Sequence, residues 1–163
     1  MNQEEPQFFV DLHTHTSWGS PCGYMEPAEL IQRAKAIGLD AVCITEHNQL
    51  WDEEAIPSLC QKHDFTVIGG VEVGTDYGDV LAFGLHAPVL RVYYVEELRE
   101  LVDEAGGVMI VAHPFRGEVG RIMPGSDFLR AVKVAGERAV FKWVDAMEVY
   151  NGLGNIWEHD FGL

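Results

Sequence analysis

Short apolar runs alternate with helix-patterned stretches along nearly the whole chain, and this alternation points to an α/β fold. Phe8–Leu12, "DAVCIT" (40–45), "FTVIGGVEVG" (65–74), "VLAFGL" (80–85), "GVMIVA" (107–112) and "AMEVY" (146–150) read as strands. Between them, "MEPAELIQRAKAIG" reads as a helix with Pro27 in its first turn and Gly38 as its stop. A second helix is expected over "WDEEAIPSLCQKH", kinked or shortened by Pro57, and a third over "VEELRELVDEAG". Asp127–Val134 and a short piece around Arg138–Lys142 complete the helices. Strands that are apolar on both faces, joined through helices, predict a mostly parallel sheet with crossover connections.

The 163 residues suffice for one domain that buries roughly two thirds of its unfolded surface. With no repeat, linker or low-complexity segment, a single domain over residues 1–163 is expected, with the motifs within about 8–152 and a short tail at 153–163. No apolar run is long enough to span a bilayer, and residues 1–7 are acidic and polar, unlike a signal peptide. The chain is therefore expected to be cytoplasmic and to have no membrane partner. Cys22, Cys43 and Cys60 are odd in number and lack CxxC spacing, which fits a reducing compartment. A formal charge of −15 opposes general nucleic-acid binding, which depends on basic residues neutralising phosphates.

The chemistry is concentrated where the strands stop. "DLHTHT" (11–16) follows the first apolar run, and side chains alternate along a strand, so His13 and His15 face the same side. The second strand is followed by Glu46 and His47, the third holds Glu72 near its end, and the strand at 107–112 is followed by His113. Sites in α/β sheets and barrels are built at the C-terminal ends of strands. One such residue would be an ordinary hydrogen-bonded group; the same residue types at four strand ends point to metal.

In their order and spacing, "DLHTHT", "ITEHN", "GVEV", "AHPFR" and "MEVYNG" resemble the motifs of the PHP (polymerase and histidinol phosphatase) family, from about Phe8 to Gly152. The resemblance implies a distorted (β/α)7-like barrel holding two or three Zn, Mn or Fe ions, and a metal-dependent hydrolase acting on phosphate esters. It makes His13 and His15 ligands of one ion, His47 and His113 ligands of others, and Glu72 a bridging carboxylate. Glu46 stands where the family usually has Asp, and Glu46 and Asp11 are expected to orient ligands from behind.

Three departures matter. The family often has an Asp about five residues beyond the second histidine; here the loop reads "SWGSPCGYM", where Ser20 is a poor ligand and Cys22 is either a thiolate ligand or a structural residue of a Pro-Gly loop. In "YGDVLAFG" Asp79 stands where relatives often have His, with His86 as a competitor. The Asp and His that close the family's site have no clear counterpart: His159 and Asp160 are weak stand-ins, and there is material for roughly six strands, so the barrel is expected to be incomplete at its C-terminus. A second copy or another chain completing it is a further expectation.

Two divalent ions would activate a water and hold the oxygens of a phosphoryl group in transfer. Glu72, His113 and Arg116 are the candidate catalytic residues, Arg116 being placed to grip a substrate phosphate, with Arg121 a weaker candidate. Trp18 and Tyr24 flank the first histidine loop and read as packing beneath it, and His63 as a helix-end residue. The expected substrate is a small phosphorylated metabolite or nucleotide. The alternatives are a non-catalytic metal-binding or partner-binding domain derived from such an enzyme, and hydrolysis of another bond, such as an amide, on the same fold.

Overall fold

The structure is a computed structural model, and it describes residues 7–89, 91–116, 125–154 and 162–163. In chain order the elements are β1 (Val10–Thr14), α1 (Pro27–Ala36), β2 (Ala41–His47), α2 (Ala55–His63), β3 (Thr66–Thr75) and β4 (Gly78–Phe83). They continue with α3 (Val95–Glu104), β5 (Val108–Val111), α4 (Gly125–Gly136), a 3-10 turn (Ala139–Lys142) and β6 (Ala146–Met147). The class is mixed α/β, and the described residues hold six strands, fewer than the seven of the barrel implied by the resemblance. The chain forms two compact units, Met1–Val71 and Glu72–Leu163, with β3 continuing from the first into the second.

In the first unit the strand order is β1-β2-β3. β1 and β2 run parallel, with Val10 opposite Ala41 and Asp11 opposite Val42, and the register then shifts before Thr14 meets Ile44. An irregularity of this kind re-aims side chains at a strand end, and here it falls between Asp11 and Thr14, the stretch that carries His13. Helix α1 starts with Pro27 at its first position and stops at Gly38, whose φ of 84° suits a residue without Cβ. It lays Leu30, Ile31 and Ala34 against Val42 and Ile44 of β2 and Val67 of β3. Helix α2 starts at Ala55, four residues later than its pattern suggests. Pro57 then falls in the first turn, where its missing N–H breaks no helical bond, so it shortens the helix without kinking it.

In the second unit the order is β3-β4-β5-β6. The expected mostly parallel sheet holds only in part. β5 pairs with β6 in parallel, but β4 pairs with β5 antiparallel, from Val80 opposite Val111 to Phe83 opposite Val108. The reason is the link between β3 and β4: Asp76 and Tyr77 leave no room for a crossover helix, so the chain turns straight back. Gly78, with φ 103°, closes that turn, and Thr75 Oγ1 donates to the Gly78 carbonyl at 2.7 Å. As a result the start of β4, rather than its end, lies beside the end of β5. Helix α3 buries Val95, Leu98 and Val102 along one stripe.

Asp145 fixes the entry to β6. It accepts the Met109 N–H at 2.8 Å and Arg99 Nη1 at 2.8 Å, and these two contacts hold its carboxyl below the usual range. A depressed pKa stabilises the fold above the ordinary carboxylate pKa, and that contribution fades as pH falls through the lowered value. Asp145→Asn is therefore expected to lower the urea midpoint at neutral pH, and the gap from wild type should narrow below about pH 4. A constant gap down to acid pH would mean that the charge contributes nothing.

Candidate metal centre

The parallel pairing of β1 and β2 brings their ends together in the first unit, and the donors gather there. His13 Nε2 and His15 Nε2 lie 3.1 Å apart, with their rings edge to face at 75°. Two imidazole nitrogens on one tetrahedral Zn are about 3.3 Å apart, given bonds of ~2.0–2.1 Å, so the pair fits one ion. The ring of His47 stacks on that of His15 at 4.5 Å between centroids. Cys22 Sγ, from the loop after β1, lies 3.3 Å from His47 Nε2.

One buried carboxylate organises this loop. Glu46 is wholly inaccessible, and it accepts the Thr16 N–H at 3.1 Å, the Thr16 hydroxyl, and the Ser20 hydroxyl at 2.5 Å. Ser20, itself buried, also lies 3.3 Å from His15 Nδ1 and accepts the His47 N–H at 3.0 Å. Glu46 Oε2 is 3.9 Å from His15 Nδ1, so its hold on the imidazole runs mainly through Ser20. The poor ligand of the loop is thus its central connector. Gly19 makes room for the carboxylate: a Cβ there would overlap Glu46 Cγ and Cδ.

In the second unit His113 Nε2 lies 3.0 Å from Glu72 Oε1, and Glu72 is fully buried. Asp79 Oδ2 is 3.8 Å from the same nitrogen. The reversed direction of β4 explains Asp79: its carbonyl accepts the Ala112 N–H at 2.9 Å, which sets it beside His113. His86 lies exposed beyond the far end of β4. One imidazole and two carboxylates make an oxygen-rich donor set that suits harder ions such as Mn(II).

His113 has φ 31°, an uncommon conformation for a residue with Cβ. Glu148, just after β6, accepts its N–H at 2.7 Å and holds it there. Asn151 Nδ2 donates to Glu148 at 2.9 Å, and Arg116 Nη2 donates to Asn151 Oδ1 at 2.7 Å. Arg138 donates to the Pro114 carbonyl at 2.6 Å with its guanidinium over the Phe115 ring. Arg116 is thus exposed but tethered three residues from His113. Within "MEVYNG" neither residue type nor spacing marks Glu148 or Asn151 for these contacts, and nothing in the sequence marks Arg138.

The remaining candidates fall elsewhere. Asp11 accepts the backbone N–H of His13 at 3.1 Å and so supports the strand end that carries the ligand. Trp18 and Tyr24 are not packed beneath the loop: they are 64% and 92% exposed, and Trp18 stacks on Trp51 while donating to Glu26 at 2.7 Å. His63 does close α2. Arg121, His159 and Asp160 lie outside the described residues. No helix among the described residues is long and apolar enough to cross a membrane.

Both donor groups lie on the stretch that known proteins share with this chain. The family model of the PHP domain matches residues 11–113. The chain belongs to the PHP domain family. This PHP domain is 26% identical over 151 residues to protein MJ1587 of Methanocaldococcus jannaschii, covering 87% of this chain and 81% of that one. Its fold is similar to that of a candidate metal-dependent phosphoesterase from Bifidobacterium adolescentis, with TM-score 0.63, 16% identity, and 98% and 83% of the two chains covered. It is also similar to an amidohydrolase from Chromobacterium violaceum solved with sulfate and no metal, with TM-score 0.61, 14% identity, and 93% and 80% covered. At these identities the two structures speak to the fold.

Proposed function

We propose that this PHP domain is a metal-dependent hydrolase of phosphate esters, acting on a small phosphorylated metabolite or nucleotide. The observation that carries the reading is the gathering of nitrogen, sulfur and carboxylate donors at strand ends and in the loop after β1: His13, His15, Cys22 and His47 in the first unit, and Glu72, Asp79 and His113 in the second. Divalent ions held by such donors supply an activated water and a Lewis acid for the phosphoryl oxygens. The residues do the rest. Glu46 and Ser20 keep His15 and His47 from swinging, and Glu148 keeps His113 in its uncommon backbone conformation. Arg116, tethered through Asn151, is set to bind a phosphate without first losing side-chain freedom. The phosphoesterase name of the Bifidobacterium adolescentis relative supports the same reaction, and the amidohydrolase name marks the competing one.

The test is a screen of phosphate monoesters and small amides with protein reloaded with Zn(II) or Mn(II). Turnover of monoesters and not of amides is expected, and it should vanish after chelation. Arg116→Ala is expected to raise KM for a monoester roughly 10- to 100-fold, the loss of one charge-assisted contact. Activity in metal-free protein, or amide turnover alone, would sink the reading.

A further inference from the structure

We infer that His15, Cys22 and His47 form a thiolate-containing metal site, built entirely within the first unit and matched to Zn(II) rather than Mn(II). This rests on the metal-dependent reading above and extends it, by assigning a sulfur ligand and with it a class of metal.

Each of the three residues presents a ligand atom, and these atoms lie within 4.8 Å of one another. Across a tetrahedral Zn, with bonds of ~2.3 Å to sulfur and ~2.0–2.1 Å to nitrogen, the sulfur and an imidazole nitrogen lie about 3.5 Å apart. Cys22 Sγ and His47 Nε2 are separated by 3.3 Å, close to that value. The loop is shaped to keep them so. Ser20-Pro21-Cys22-Gly23 forms a turn in which the Gly23 N–H donates to the Ser20 carbonyl at 2.9 Å, with proline and glycine at the positions a β-turn favours. A Cβ at Gly23 would overlap the Thr16 backbone, so the close approach that returns the loop past His47 requires glycine there.

A cysteine kept only for packing would be buried, and Cys22 is exposed. The other two differ. Cys43 is buried in β2, and burial, followed by the charge of Asp11, pushes its thiol up to about 11. Cys60 is partly buried and donates to the Val67 carbonyl. Cys22 alone of the three lies beside two imidazoles.

Two nitrogens and a thiolate favour borderline-soft ions, in contrast to the oxygen-rich set of Glu72, Asp79 and His113 in the second unit. Every ligand falls within residues 15–47, so this site needs nothing from the part of the family pattern that has no clear counterpart in the chain.

The test is to strip the full chain with chelator and titrate it with Co(II), following absorption and bound cobalt per chain. A thiolate-to-cobalt charge-transfer band in the near ultraviolet is expected, lost in Cys22→Ala and Cys22→Ser and kept in Cys60→Ser. Zn(II) should remove it stoichiometrically and Mn(II) should not. Cobalt bound without the band, or a band that survives in Cys22→Ala, overturns the thiolate site and leaves the metal-dependent reading standing. No cobalt bound at all overturns both. If Cys22→Ala misfolds by circular dichroism, wild-type protein still decides through iodoacetamide labelling. Zn(II) should slow alkylation of Cys22 at least tenfold with Mn(II) ineffective, and an unchanged rate rejects the proposal.

Discussion

Glu46→Ala is expected to lower the melting temperature by about 10 °C and to strip the first unit of its metal. Glu46 accepts hydrogen bonds from the Thr16 N–H, the Thr16 hydroxyl and the Ser20 hydroxyl, all in a site closed to solvent. Bonds to a charged group contribute roughly 1.5–3 kcal/mol each, and burying the charge offsets part of the sum. A net loss of about 3–5 kcal/mol follows, and in a chain of this size each kcal/mol lowers the melting temperature by roughly 2–4 °C. The effect on metal comes through Ser20, which loses its acceptor and with it the geometry that fixes His15 Nδ1 and the His47 N–H. Calorimetry and metal content of the purified variant check both. A shift of 2 °C or less would mean that the carboxylate does not organise the loop.

The same residue offers a sharper test, because its length is matched by Gly19. Gly19→Ala places a methyl against Glu46 Cγ and Cδ and should destabilise the wild type. Glu46→Ala removes Cγ and Cδ, the atoms that such a methyl would meet. In the double variant that overlap is gone, so the two losses should be less than additive. Additive losses would show that Gly19 and Glu46 do not share this space.

Much of this site could be read before any coordinates, for a physical reason. Strands and amphipathic helices impose periods on the sequence, and the residues just past a strand are where an α/β fold must carry its chemistry. His13, His15, His47 and His113 stand at or beside strand ends in the sequence, and the alternation of elements is equally legible there. What stayed hidden depends on direction and on tertiary contact. The sequence shows that "TDYGD" is a turn, but which of Asp79 and His86 lies near His113 hangs on β4 running antiparallel to β5, which places Asp79 beside it. Cys22 sits in a loop with no period, so its proximity to His47 emerges only when the Ser20–Gly23 turn folds. Glu148 and Asn151 act through a backbone N–H and through Arg116, contacts 35 residues apart in sequence. Ser20 is a poor ligand by its chemistry, yet its hydroxyl connects Glu46, His15 and His47.

Glu72→Gln is expected to lower turnover of a phosphate monoester about 1,000-fold while the fold stays intact, a loss of roughly 4 kcal/mol of transition-state stabilisation. The substitution keeps the volume of a buried side chain and still offers an oxygen to His113 Nε2, now 3.0 Å away. What it removes is the negative charge, and charge is what a carboxylate ligand supplies to a divalent ion that a carboxamide does not. Circular dichroism and melting temperature should therefore remain close to wild type, and Mn(II) uptake by the second unit should fall. Zn(II) uptake by His15, Cys22 and His47 should persist, because no ligand of that site has changed. That split distinguishes two independent donor sets from one all-or-none centre. If Glu72→Gln abolishes uptake of both metals, the first unit does not bind metal on its own. If turnover is unchanged, Glu72 has no part in the reaction, and the catalytic assignment would have to move to the donors of the first unit.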